Sequence, residues 1–221
     1  MREIILIFMV LTMAGCTTVS EYTGPTLPVS AQVPSGEHHR VEAGETLWKI
    51  SKIYGVDIDE IIRVNRLSEE IPIEIGQVII IPGYSRKPAL PVVKSLGDDF
   101  IWPLKGRIIS SFGSHYHNLA NKGINIQAQS GSEVLATRSG RVVFYATNFG
   151  NYGKTVIIDH GDGLRSVYCR LSEIFVQPGE NIQRGMPVGS IGGSVRDKNT
   201  YLHFEIRKRA IPQNPLFYLS G

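Results

Sequence analysis

Apolar positions in the first half of the chain follow a helical spacing. Thr46 precedes Leu47, Ile50, Ile53 and Tyr54, which share one face of a helix, and Thr46 suits the N-cap. Gly55 ends that helix. Asp57 opens a second helix with Glu60 three residues on, a capping-box-like pair, ahead of Ile61, Ile62 and Val64. His39-Arg40-Val41 and Val78-Ile79-Ile80-Ile81 read as flanking strands. The result is a strand–helix–helix–strand unit, small enough that its core is marginal. Further on the period changes. Glu133–Thr137, Arg141–Tyr145, Thr155–Asp159 and His203–Arg207 are short alternating or β-branched runs. Ser139-Gly140, Gly150-Asn151-Tyr152-Gly153 and Gly161-Asp162-Gly163 punctuate them as turns. Many short strands without long helices predict a mainly antiparallel β fold, an open barrel or a sandwich. The fold class expected for the chain is therefore α+β.

Proline and glycine set the boundaries. Residues 16–37, with Pro25, Pro28 and Pro34, read as a tether, and residues 84–98, with Pro88 and Pro91, as a linker. The folded units expected are residues 38–83 and 99–221. Residues 1–15 combine a charged start, a short apolar stretch from Ile4 to Met13, and small residues before Cys16. About ten apolar residues are too few to span a bilayer, which takes roughly 20, but they suit a secretory signal peptide. Met13-Ala14-Gly15-Cys16 resembles a bacterial lipobox, although Leu is commoner than Met at its first position. The resemblance implies cleavage before Cys16, lipid on that residue and, because Thr17 rather than Asp follows, an outer-membrane anchor facing the periplasm. The other reading of Cys16 is an incidental cysteine in a non-lipidated signal peptide. A net charge of +3, with no Lys/Arg run, gives no nucleic-acid footprint. Cys169, in an apolar-flanked stretch, reads as a small buried residue rather than a catalytic thiol.

The first unit carries a specific pattern: Val41-Glu42-Ala43-Gly44-Glu45-Thr46-Leu47-Trp48, Tyr54-Gly55-Val56, Asn65-Arg66-Leu67 and Ile75-Gly76-Gln77-Val78. Over its whole length it resembles a LysM domain. The resemblance implies binding of N-acetylglucosamine-containing glycan between two loops, with Gly44, Glu45, Thr46 and Leu47 on one side and Ile71, Pro72 and Ile73 on the other. The competing reading is that Thr46 and Leu47 only cap and pack the first helix. His38 and His39 read as linker-edge residues.

The second unit has Ser111-Phe112-Gly113, Asn121-Lys122-Gly123-Ile124-Asn125, Gly150-Asn151-Tyr152-Gly153, Arg170-Leu171-Ser172 and Tyr201-Leu202-His203-Phe204-Glu205. It resembles the LytM/lysostaphin zinc endopeptidases, which cleave peptidoglycan cross-links. That family binds its metal with H-x-x-x-D and the second His of H-x-H, and uses two further histidines on the attacking water and the oxyanion. By position, Asn121 and Asn125 replace the first pair, Arg170 replaces the His before Leu-Ser, and Tyr201 replaces the first His of H-x-H. Only His203 remains. Zinc takes imidazole, thiolate or carboxylate ligands, and an amide offers neither charge nor a basic nitrogen. Arg170 stays protonated, and two unit charges about 4 Å apart interact by roughly 4 kcal/mol at an effective dielectric of 20, which here opposes a cation. No cofactor is expected. Displaced coordination by His115, His117 or His160 is the alternative weighed, and it would still lack the general acid and base.

A lipobox, one LysM and a degenerate LytM domain together resemble the NlpD group of murein hydrolase activators. The resemblance implies a non-catalytic protein whose partners are peptidoglycan, the outer membrane through Cys16, and a periplasmic N-acetylmuramoyl-L-alanine amidase activated in septum splitting. The vacant groove, with Tyr116, Asn121, Asn125, Tyr152, Arg170, Tyr201 and His203 as candidate contacts, would dock the amidase's regulatory segment. A passive tether between outer membrane and wall, and an active zinc endopeptidase, are the competing readings.

Overall fold

The computed structural model describes residues 36–68, 71–83, 99–116, 118–192 and 200–219, all within one compact unit, Pro34–Gly221. Strand β1 (Gly36–Arg40) pairs antiparallel with β2 (Val78–Pro82), and helices α1 (Leu47–Tyr54) and α2 (Ile58–Asn65) lie between them in sequence. Local chemistry sets the helix ends. The Thr46 hydroxyl accepts from Lys49 N–H at 3.2 Å, and Gly55 closes α1 at φ 66°. Asp57 caps α2 by accepting from Asp59 N–H at 2.9 Å. The expected capping-box partner does otherwise: Glu60 turns its carboxylate towards Arg63 at 3.8 Å. Asn65 joins α2 to β2, because its amide donates to the Ile80 carbonyl and accepts from Ile80 N–H, both at 2.7 Å. His39 is not a linker-edge residue. It sits in β1 with Nδ1 3.0 Å from the Tyr54 hydroxyl and Nε2 2.8 Å from Glu45.

Among the described residues after these, a ten-stranded sheet forms in which all the pairings are antiparallel. Its strands are β3 (Arg107–Ser110), β6 (Ile124–Gln127), β7 (Glu133–Leu135), β8 (Gly140–Ala146), β9 (Lys154–Asp159), β10 (Leu164–Ile174), β11 (Asn181–Ile182), β12 (Pro187–Ile191), β13 (Tyr201–Lys208) and β14 (Ile211–Gln213). The short hairpin β4 (His115–Tyr116) and β5 (Leu119–Ala120) stands apart from it. The order β11-β8-β9-β10-β13-β6-β3 makes β10 the central strand, and β12 joins β10 to β7. Instead of two separate sheets, one branched sheet encloses the core.

The branch has a local cause. Tyr168 opposes Val156 and Leu171 opposes Lys154, so three steps along β10 match two along β9. That β-bulge holds Arg170 at φ 64°, and beyond it β10 pairs with β12.

The helical unit packs on the β unit at the far end of β13. Trp48 meets Phe100 edge-on at 5.5 Å, and the Arg138 guanidinium covers both rings at 5.2 and 5.3 Å. Phe100 also meets Tyr218 and His160 edge-on. Lys208 Nζ bonds Asp57 at 2.9 Å and Asp59 at 2.8 Å, and Lys49 reaches Asp99 at 3.1 Å. Hydrophobic residues of both units therefore belong to one continuous core. Trp48 Nε1 and the Tyr218 hydroxyl are buried there without a hydrogen-bond partner among the described residues, beside a cleft of about 480 Å³.

Trp48 carries this junction. Trp48→Ala is expected to destabilise the protein by about 3–5 kcal/mol, the usual cost of removing a large buried aromatic. Trp48→Phe keeps a ring on Phe100, drops the unpaired N–H and should cost clearly less. Urea unfolding of the two variants checks both values; equal losses would show that ring packing is not what matters.

Candidate functional site

Alternation along β13 puts Tyr201, His203, Glu205 and Arg207 on one face, while Leu202, Phe204 and Ile206 enter the core. Register then supplies the neighbours. Asn125 of β6 lies opposite His203, and Ser110 of β3 lies opposite Asn125. The imidazole of His203 is held at both nitrogens, with Nδ1 2.8 Å from Asn125 Oδ1 and Nε2 3.0 Å from Glu205 Oε1. Glu205 is fully buried and also accepts from Arg207 Nε at 2.6 Å and the Tyr152 hydroxyl at 3.2 Å. Burial raises the Glu205 pKa, but hydrogen bonds from His203 and Arg207 outweigh it and hold the carboxyl below its ordinary value. Tyr152 shifts upward, through burial first and the Glu205 charge second.

The remaining walls are aromatic and cationic. A short 3₁₀ turn, Gly150–Tyr152, tilts Tyr152 against His203 at 5.5 Å, and Phe149 stacks on Tyr152 at 5.9 Å. Across the groove the Arg170 guanidinium lies 4.4 Å from the centre of the Tyr201 ring. Asn121 stands to one side, donating to Ser110 Oγ at 2.9 Å and accepting from Gly123 N–H at 3.2 Å. A side chain at Gly123 would meet the Phe204 carbonyl at 2.1 Å, so glycine is what lets the chain pass close to β13 here.

Among the seven groove candidates, the structure thus gathers Asn125, His203 and Tyr152 into one hydrogen-bonded or ring-packed set and pairs Arg170 with Tyr201. Asn121 joins them only through Ser110. The side chain of Tyr116, and His117, lie outside the described residues, as does Cys16. Glu205 and Arg207 were not anticipated, although the period of two from Tyr201 through His203 reaches both. His160 is structural, with Nδ1 on the Ser139 carbonyl and Nε2 on Ser166, and burial lowers its pKa. Cys169 is buried, and burial pushes its thiol up to about 12.

Zinc, the metal of the endopeptidases that this unit resembles, does not fit these residues. Among the described residues no three His, Cys, Asp or Glu side chains stand close enough to hold a metal ion. Among the described residues the groove offers amides, two phenols, the Arg170 guanidinium and a carboxylate already paired with Arg207, and both nitrogens of the His203 imidazole are committed.

In the helical unit, Gly44 is exposed and its carbonyl accepts from Lys49 Nζ, while the Glu45 carboxylate is occupied by His39 and Glu42 N–H. The Thr46 and Leu47 side chains are buried, so the structure favours capping and packing over sugar contact for these two. Ile71 and Pro72 are exposed, and Ile73 packs on the core.

Glu205→Gln leaves Arg207 without a counter-charge and is expected to cost about 3 kcal/mol, the lower end for breaking a buried pair, since Arg207 is partly exposed. A depressed carboxyl stabilises fully above its unfolded pKa, and the contribution fades as pH falls through the lower folded value. Thermal unfolding across acid pH should therefore lose part of its pH dependence in the variant. An unchanged acid limb would remove Glu205 from this role.

Comparison with known proteins agrees with this architecture. Residues 39–82 match the LysM domain and residues 119–215 match Peptidase family M23. The chain is 29% identical over 208 residues to the Escherichia coli lipoprotein YgeR, covering 84% of this chain and 82% of YgeR. It is 36% identical over 118 residues to the murein hydrolase activator NlpD of Escherichia coli, covering 53% of this chain but only 30% of NlpD. A chain of the SpoIIQ–SpoIIIAH pore-forming complex superposes with a TM-score of 0.50 at 26% identity, covering 56% of this chain and 92% of that one. Residues 39–82 of this protein thus resemble a LysM domain and residues 119–215 resemble peptidase family M23, and the chain is similar to the NlpD murein hydrolase activators.

Proposed function

We propose that this protein is a non-catalytic, lipid-anchored activator of a periplasmic N-acetylmuramoyl-L-alanine amidase, acting in septal wall splitting. Lipid on Cys16 holds it at the periplasmic face of the outer membrane, the LysM domain binds peptidoglycan, and the M23-family groove docks the amidase's regulatory segment. The observation that carries the reading is the closed hydrogen-bond set of Asn125, His203 and Glu205, which occupies the imidazole that a peptidase would give to zinc. Without a metal there is no acidified water and no Lewis acid. The relatives add support, since several are named murein hydrolase activators or lipoproteins. The SpoIIQ–SpoIIIAH complex shows a chain of this fold working in a protein assembly. Activation is then a population shift, in which the groove binds the open amidase more tightly than the closed one.

The test uses the lipid-free protein, residues 17–221, with dye-labelled peptidoglycan and the purified amidases of the same organism. Dye release should rise only when an amidase is present, and the protein alone should release none even with added zinc. If no amidase responds while sacculus binding persists, the protein is a passive tether. Zinc-dependent release by the protein alone would make it an endopeptidase.

A further inference from the structure

Among the described residues of the groove, Arg170 is the charged group that its surroundings leave uncommitted. Glu205 is matched by Arg207 and His203, and Lys154 Nζ donates to the Ser172 carbonyl. Arg170 has no carboxylate within ion-pair distance among the described residues, and its guanidinium instead lies over Tyr201 at 4.4 Å. Stacking on a ring fixes the plane of a guanidinium and leaves its N–H edges open, the geometry that takes a carboxylate with two parallel hydrogen bonds. The backbone points to the same use. Arg170 holds φ 64° in the bulge of β10, a conformation that costs energy for any residue with a side chain. Strain of this kind gathers where a side chain must be aimed at a ligand.

We infer that the groove is a carboxylate receptor, and that its ligand is an acidic side chain on the protein segment that docks there; this rests on the activator reading. The choice of a protein over the wall follows from what else the groove presents. The floor of Asn125, His203 and Glu205 is satisfied internally, which leaves few free hydrogen-bonding groups for the amides of a peptidoglycan stem peptide. The flank offers Tyr152 and the stacked ring of Phe149, 46% exposed, which suit apolar side chains on either side of an acidic one. Aromatic rings beside an arginine are also the composition of strongly binding protein interfaces. The site takes a Glu or Asp flanked by apolar residues.

The experiment measures binding of the responsive amidase to the two-domain protein by fluorescence anisotropy, with a purified disaccharide–tetrapeptide titrated in parallel. Arg170→Lys keeps the charge but loses the paired hydrogen bonds, and should weaken amidase binding roughly tenfold. Arg170→Glu should weaken it by at least about a hundredfold through like-charge repulsion, and an Asp→Arg or Glu→Arg change in the amidase's docking segment should restore it. Arg170→Gly separates function from fold, because glycine relieves the positive φ. Its melting temperature should rise while amidase binding falls. Wild-type affinity in folded Arg170→Glu would overturn the proposal. So would Arg170-dependent binding of the disaccharide–tetrapeptide with amidase binding unaffected, which would assign the carboxylate to the wall. If the wild-type protein neither binds nor stimulates any amidase, the activator reading fails, and this inference fails with it.

Discussion

The fully buried carboxylate of Glu205 constrains everything around the groove. An ionised group in an apolar interior is tolerated only when it is paired and hydrogen-bonded. Glu205 meets that demand with three donors from different places: Arg207 on its own strand, His203 two residues back, and Tyr152 from the turn between β8 and β9. Each donor is fixed in return. The Tyr152 turn is drawn against β13, which brings Phe149 with it, and the His203 ring is oriented so that its other nitrogen meets Asn125. The aromatic flank and the polar floor of the groove are therefore two consequences of one buried charge.

This arrangement also explains why an amide suits position 125. An aspartate there would place a second carboxylate on the His203 ring, which already has Glu205 on its other nitrogen. An amide at position 125 meets the Nδ1 side of the ring without adding a second negative charge. The amide–imidazole–carboxylate chain adds a side-chain link between β6 and β13 to their backbone ladder.

What the sequence disclosed, and what it hid, divides along the reach of the interactions. Thr46, Gly55 and Asp57 act on backbone within a few residues, so their roles at helix ends could be read directly. Glu60 departs from the capping-box pattern because an i,i+3 partner, Arg63, competes for it on the same helix. The alternation of β13 was visible from Tyr201 to Arg207, yet the burial of Glu205 depends on Tyr152 and on neighbouring strands distant in sequence. The bulge in β10 left no sign either, because the residue at positive φ is Arg170 rather than a glycine. The junction of Trp48 with Phe100, Arg138 and Tyr218 is likewise non-local. Read by itself, Trp48 is simply a helix residue of the first unit.

That junction bears on how the helical unit and the groove are connected. Strand β13 carries Tyr201 at the groove and Lys208 at the junction. Seven steps of about 3.4 Å put the two ends roughly 24 Å apart. The helical unit makes its ion pairs with β13 at the Lys208 end, not at His203. Charged pairs alone would hold it weakly, since exposed ion pairs contribute little, but Trp48 and Phe100 merge the two cores. On the proposed reading, a wall-binding unit fixed in this way passes its orientation on the wall to the groove, as a flexible tether would not. The same strand that shapes the groove at one end sets, at the other, the direction in which it is presented.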